Sequence, residues 1–168
     1  VLWVTLAVRH PLTGLMTLKM TGLVFYYQDS DVDVWSGKNL DAWNYAASAA
    51  GDIDSMIVIN ETDQVLNTPN SSLSFQVVEE MPSLEGHVTQ VVCPWEIVPK
   101  TSMGNFDHDT DWYLFGPAQG WGNPRPEAQV YLTIPQSGMG ACHSVHVATA
   151  VMYDRYAKAN STSGSSQA

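Results

Sequence analysis

The stretch from residue 111 to 158 constrains the fold most. An apolar, aromatic run of Trp112, Tyr113, Leu114 and Phe115 ends abruptly at Gly116 and Pro117. A second run, from Val130 through Tyr131 and Leu132 to Ile134, ends at Pro135 and opens into a loop that holds Gly138 and Gly140. A helical stripe follows, with Ala141, Val145, Ala148, Met152 and Tyr156 three or four residues apart. Short apolar runs of this kind read as buried strands. A strand that leaves into a glycine-bearing loop and then a helix is how open α/β sheets bind ligands beyond their carboxyl edge. Two such exits close together predict a pocket built largely of backbone.

The rest of the chain repeats the alternation of strand and helix. Residues 1–8 are a nearly unbroken apolar, β-branched run that predicts a strand, ended by Arg9, His10 and Pro11. Leu12, Leu15, Met16 and Met20 fit a short helix over 12–20, with Pro11 in its first turn and Gly22 closing it. Strands are predicted over 23–27, 55–59, 73–78 and 88–93, the last stopped by Pro94. Leu40, Trp43, Ala47 and Ala50 predict a helix over 39–50, and Gly51 is a natural stop. Residues 79–86 read as a short acidic helix or turn, and 60–72 and 96–110 as loops. The fold class that results is α/β: a mainly parallel sheet with flanking helices, in one domain over 1–158. Residues 159–168 are polar throughout and predict a disordered tail.

Charge limits the partners. Seven Lys and Arg against 17 Asp and Glu give a net charge of -10, which disfavours a broad polyanion-binding face because such binding needs cations to displace counterions. The two cysteines, Cys93 and Cys142, show no zinc or CxxC spacing, so a reducing, cytoplasmic setting is expected. The sequons at Asn60, Asn70 and Asn160 matter only in a secreted chain. No segment is long and apolar enough to predict a membrane span.

Asp107, Asp109 and Asp111 alternate as in a calcium loop, but Trp112 and Ala118 stand where that loop needs Gly and Glu, so a solvated acidic loop is the better reading. His143 and His146 share a helix face without a third ligand, and no metal site is predicted. Cys142 and His143 are helix neighbours that point apart, which argues against a nucleophile and base. No P-loop and no GxGxxG follows the first strand.

The two strand exits carry a resemblance. Leu114-Phe115-Gly116-Pro117, then Ile134-Pro135-Gln136-Ser137-Gly138, then Cys142-His143-Ser144-Val145-His146-Val147-Ala148 resemble the carboxyl-terminal half of SPOUT-class (TrmH-like) RNA methyltransferases. That family has Phe-Gly-x-Glu, then Ile-Pro-Met-x-Gly, then Ser-Leu-Asn-Val-Ser-x-Ala opening its last helix. Arg9-His10-Pro11 through Gly22 resembles the family's first motif more loosely. The resemblance implies a trefoil-knotted α/β fold, a homodimer, and S-adenosylmethionine held by three loops, with RNA as substrate and a ribose 2'-hydroxyl as acceptor. Carried across by position, it implies cofactor contacts at Cys93, Pro94, Gly116, Pro117, Ile134, Pro135, Cys142 and His143. Lys19, Arg9 and Ser144 are the catalytic candidates it offers. The departures are specific: the first motif's Arg falls at Leu18 or Lys19, the motif Glu is Ala118, and the last motif's Asn is Ser144. Two alternatives follow: a fold relative without catalysis that serves as a binding or assembly protein, and an acidic protein that binds a basic partner surface.

Overall fold

The computed structural model describes residues 7–10, 14–17, 20–27, 40–116, 124–134 and 144–164. A hairpin comes first: β1 (Ala7–His10) pairs antiparallel with β2 (Gly14–Thr17), so that Arg9 faces Leu15 across the ladder. This corrects the helix expected over 12–20. Four apolar or small residues are too few to nucleate a helix, whereas pairing with β1 satisfies their backbone groups at once. Of the strand expected over 1–8, residues 7 and 8 lie in β1, and residues 1–6 lie outside the described residues.

The main sheet has seven strands: β3 (Gly22–Tyr27), β4 (Ser55–Asn60), β5 (Ser74–Val78), β6 (Val88–Val91), β7 (Thr101–Ser102), β8 (Trp112–Phe115) and β9 (Val130–Thr133). Their spatial order is β5-β4-β3-β8-β6-β9-β7, and every pairing is parallel. The mainly parallel α/β sheet expected from the sequence is therefore present. From β3 the chain first builds outward through β4 and β5, then crosses to the other side for all later strands. The topological switch point thus lies between β3 and β8.

Among the described residues, two helices cover one face. In α1 (Leu40–Ser48), Leu40, Trp43, Ala46 and Ala47 point inward; in α2 (Ser144–Gly164), Val145, Val147, Ala148, Val151 and Met152 do the same. They pack on Leu23, Phe25, Met56, Val91, Phe115 and Leu132, all nearly or fully buried. Trp43 stacks on Phe25 at 3.9 Å and meets Phe115 edge-on at 5.3 Å. The other face, centred on Val24, Ile57, Ile59 and Leu114, is covered by Met20, Met81, Leu84 and Ala128. Burial of both faces explains why the strands read as apolar runs without alternation.

Three further expectations change. Residues 79–86, expected as a short acidic helix or turn, form no helix: Pro82 interrupts them and Gly86 adopts a left-handed φ of +93°. The loop over 96–110 contains β7 and a single 3-10 turn, Met103–Asn105. The helix α2 continues past Lys158 to Gly164, so the first six residues of the expected tail are helical, with Asn160 Nδ2 donating to Tyr156 O and Ser161 Oγ to Lys158 O.

Candidate functional site at the carboxyl edge of the sheet

Parallel pairing puts all the strand exits of the main sheet on one edge. Register aligns the three that matter: Val91 of β6 stands beside Phe115 of β8 on one side and Leu132 of β9 on the other. The residues that follow these strands are Cys93 and Pro94, Gly116, and Ile134. The structure thus brings together four of the eight cofactor-contact candidates, from three segments spread over about forty residues of sequence. Val92 N donates to Leu132 O at 2.8 Å and ties two of these exits together.

Cys93 and Gly116 are buried, and Pro94 and Ile134 are half-buried, with Ile134 packed on the helix-covered core. Just beneath the edge, Thr133 Oγ1 is buried without a hydrogen-bond partner, and so is Trp43 Nε1 beside Phe115. A buried polar atom left unpaired costs about 1–3 kcal/mol, and an incoming polar ligand relieves that cost. Among the described residues this edge offers a ligand the Thr133 hydroxyl and the backbone about Cys93, Gly116 and Ile134, groups of the kind that can hold a nucleoside such as that of S-adenosylmethionine.

Ser144 opens α2 and is half-buried. Arg9 lies in β1, in the hairpin. Lys19, Pro117, Pro135, Cys142 and His143 lie outside the described residues. His146 is exposed on α2, and among the described residues no group of three or more His, Cys, Asp or Glu is placed to hold a metal. Of the three alternating aspartates, only Asp107 and Asp109 face solvent. Asp111 is buried and accepts from His87 N at 2.7 Å, which corrects the reading of a fully solvated acidic loop.

Two features escaped sequence reasoning. The first is Arg125, between Pro124 and Pro126. Its backbone N–H donates to Gln90 Oε1 at 2.7 Å, and its guanidinium lies over the Tyr26 ring, 5.5 Å from the centroid. The paired prolines were a usable signal, because they fix the backbone on either side of a cation. The second is a chain of bonds at the opposite, amino edge. His108 Nε2 meets Asp154 Oδ2 at 2.6 Å and Nδ1 meets Tyr113 Oη at 2.8 Å. Arg155 donates to Tyr113 Oη at 3.0 Å and forks onto Asp52 at 2.8 and 2.9 Å. Nothing in the local sequence marks residues so far apart as neighbours.

Burial lowers the His108 pKa, and the hydrogen bond to Asp154 opposes this without reversing it. The imidazole is therefore neutral at neutral pH, with Nε2–H donated to Asp154 and Nδ1 accepting from Tyr113. The contact with Asp154 is a hydrogen bond to a carboxylate rather than a full ion pair. Burial pushes the Tyr113 phenol up to about 12, which keeps it a donor. A pocket of about 510 Å³ opens beside this chain, lined by Asp52, Phe106, His108, Arg155 and Lys158 among others. Its cations are already engaged: Arg155 with Asp52, and Lys158 Nζ with Asp154 at 2.8 Å. The arrangement locks α2 to the segment before β8, and the carboxyl edge is the better candidate for ligand chemistry.

No protein-family model and no curated protein matches the sequence. Solved structures do match in fold. The SpoU methyltransferase AviRb from Streptomyces viridochromogenes, in complex with AdoMet, is 17% identical with a TM-score of 0.60, covering 85% of this chain and 62% of that one. The A. aeolicus TrmH/SpoU tRNA modifying enzyme is 12% identical with a TM-score of 0.56, covering 86% of this chain and 77% of that one. A structure concerned with 2-OH methylation of C/U34 on tRNA is 18% identical with a TM-score of 0.58, covering 85% of this chain and 98% of that one. This chain thus spans about 62% of the length of AviRb. It shares the fold of the SpoU/TrmH methyltransferases.

Proposed function

We propose that the chain binds S-adenosylmethionine at the carboxyl edge and acts as an RNA methyltransferase of the ribose 2'-hydroxyl class. One observation carries this reading: the exits of β6, β8 and β9, picked out by motif resemblance, are gathered at one edge in a fold shared with AviRb, whose structure holds AdoMet. In the transfer, a lone pair of the hydroxyl oxygen attacks the methyl carbon and the carbon–sulfur bond breaks. S-adenosylhomocysteine leaves, and the hydroxyl proton passes to a base or to water. Lys19, Arg9 and Ser144 are the proposed residues for steering the hydroxyl. The His108 chain lies at the other edge and is too far from these exits to take that proton. Insertion of the late strand β9 between β6 and the earlier β7 supports a trefoil knot. Exposed Tyr45 on α1 and Tyr153 and Tyr156 on α2 support a homodimer, which a native mass twice that of the chain tests.

A second reading keeps the cofactor and drops the chemistry. Ala118 and Ser144 in place of the family's Glu and Asn favour it, since backbone binding survives such changes and proton steering does not. Calorimetric titration with S-adenosylmethionine and S-adenosylhomocysteine tests what both readings share. Micromolar binding that Gly116→Trp weakens at least tenfold is expected, and the absence of heat from the folded protein at millimolar ligand sinks both. Tritium transfer from S-adenosylmethionine to RNA then separates them.

A further inference from the structure

Arg125 stands out among the cations of the described residues. Lys100 Nζ donates to Glu96 O at 2.6 Å, and Arg155 and Lys158 are held by Asp52 and Asp154. Among the described residues, the Arg125 guanidinium makes no hydrogen bond. Its buried Nε pairs ionically with Glu127 Oε2 at 3.4 Å, without either atom making a hydrogen bond, and this leaves the two terminal nitrogens of the guanidinium uncommitted among the described residues. The side chain is one-third exposed at 32%, so the fork is open to a ligand.

Its place in the fold is equally specific. Tyr26 is one residue past Phe25, the last residue of β3 paired with β8, so it is level with the point where β8 gives way to Gly116. An arginine over Tyr26 therefore overhangs the switch point between β3 and β8. In a doubly wound sheet this is the crevice where ligands sit. The ring beneath the guanidinium and the two flanking prolines hold it in place, so little freedom is lost when it binds.

We propose that Arg125 is the oxyanion-holding residue of the carboxyl-edge site, its guanidinium forking onto one singly charged group, a carboxylate or a phosphodiester. This rests on the cofactor reading above and names a subsite within it. A planar fork matches the two oxygens of either anion. Two sources offer that chemistry: the α-carboxylate of the methionine moiety, and a phosphodiester of the acceptor strand. Glu127, paired with Nε, already offsets the arginine's charge, so the site suits an anion of a single negative charge. It also suits the ammonium group that accompanies a carboxylate in a zwitterionic amino acid.

Arg125→Gln, Arg125→Lys and the wild-type protein are compared with three probes: S-adenosylhomocysteine, 5'-methylthioadenosine (which lacks the amino acid moiety), and a fluorescein-labelled mixed-sequence RNA of about 12 nucleotides. If the carboxylate is held, Arg125→Gln weakens S-adenosylhomocysteine about tenfold and leaves 5'-methylthioadenosine unchanged. If the phosphodiester is held, both nucleosides bind as before while RNA weakens about tenfold and its log–log salt slope falls by about 0.7. In either case Arg125→Lys, which keeps the charge without the fork, recovers part of the loss. Equal binding of all three probes by wild type and Arg125→Gln overturns the role of Arg125 and leaves the cofactor reading standing. A loss that extends equally to 5'-methylthioadenosine marks a structural effect and also overturns it. A wild-type protein that binds neither nucleoside overturns the cofactor reading itself.

Discussion

His108 shows how one residue joins distant parts of this chain. It adopts a left-handed φ of 62°, a conformation His tolerates better than most side chains, and this turns the imidazole between Tyr113 and Asp154. The groups facing it are Tyr113 from β8 and Asp154, Arg155 and Lys158 from α2, with Asp52 held on the far side of Arg155. Because its folded pKa lies below the ordinary 6.5, the unfolded chain binds the proton more readily than the folded one. The stability it contributes is complete above about pH 6.5 and is lost as pH falls through the folded value. Urea denaturation at a series of pH values is expected to show a midpoint that declines from about pH 6.5 downward, and His108→Gln is expected to flatten that decline. An unchanged slope in the variant contradicts the neutral, bonded imidazole. Removing Arg155, which ties Tyr113, His108 O and Asp52 together, is expected to cost about 1–2 kcal/mol, discounted because Asp52 is largely exposed.

The elements differ in how much of them the sequence reveals. Strands buried on both faces write themselves as apolar runs, so β3, β4, β6 and β8 are legible, and α1 is legible from Leu40, Trp43 and Ala47. The β1–β2 hairpin is not, because Leu12, Leu15, Met16 and Met20 fit a helical period as well as a strand and only the partner strand decides. Helical residues beyond Lys158 were illegible for a related reason: a polar helix continues on backbone bonds and local side-chain contacts rather than on an apolar stripe. Packing between elements leaves its own mark at Gly22, where β3 begins. A Cβ there would stand 2.5 Å from Ser55 O of β4 and 2.7 Å from the Trp112 ring of β8. Backbone cannot give way as a side-chain tip can, so Gly22→Ala is expected to destabilise the protein by about 3 kcal/mol, read as a lower denaturation midpoint with an unchanged m-value. A neutral substitution contradicts the close packing of β3 between its two neighbours.

For the whole molecule, the sheet separates two poles. The amino edge carries the His108 chain, whose cations are spent on carboxylates and which holds α2 in place. The carboxyl edge carries the exits of β6, β8 and β9, with Thr133 Oγ1 and Trp43 Nε1 unpaired beneath them and Arg125 above the switch point. Motif spacing singled out Gly116 and Ile134, and Cys93 with Pro94, as candidates that the fold brings to one edge, because strand exits are local in sequence. It could not find Arg125 or Trp43, whose places depend on strand order and on which helix lies over which strand. The net charge of -10 is consistent with the proposed site, since one built of backbone and a single arginine asks little of the surface. Hydrogen exchange in the presence and absence of saturating S-adenosylhomocysteine tests the central claim most directly. Slower exchange confined to the segments that follow β6, β8 and β9, with the His108 region unchanged, is the predicted result. Protection centred on the amino-edge pocket instead, or no protection anywhere, contradicts a cofactor site at the carboxyl edge.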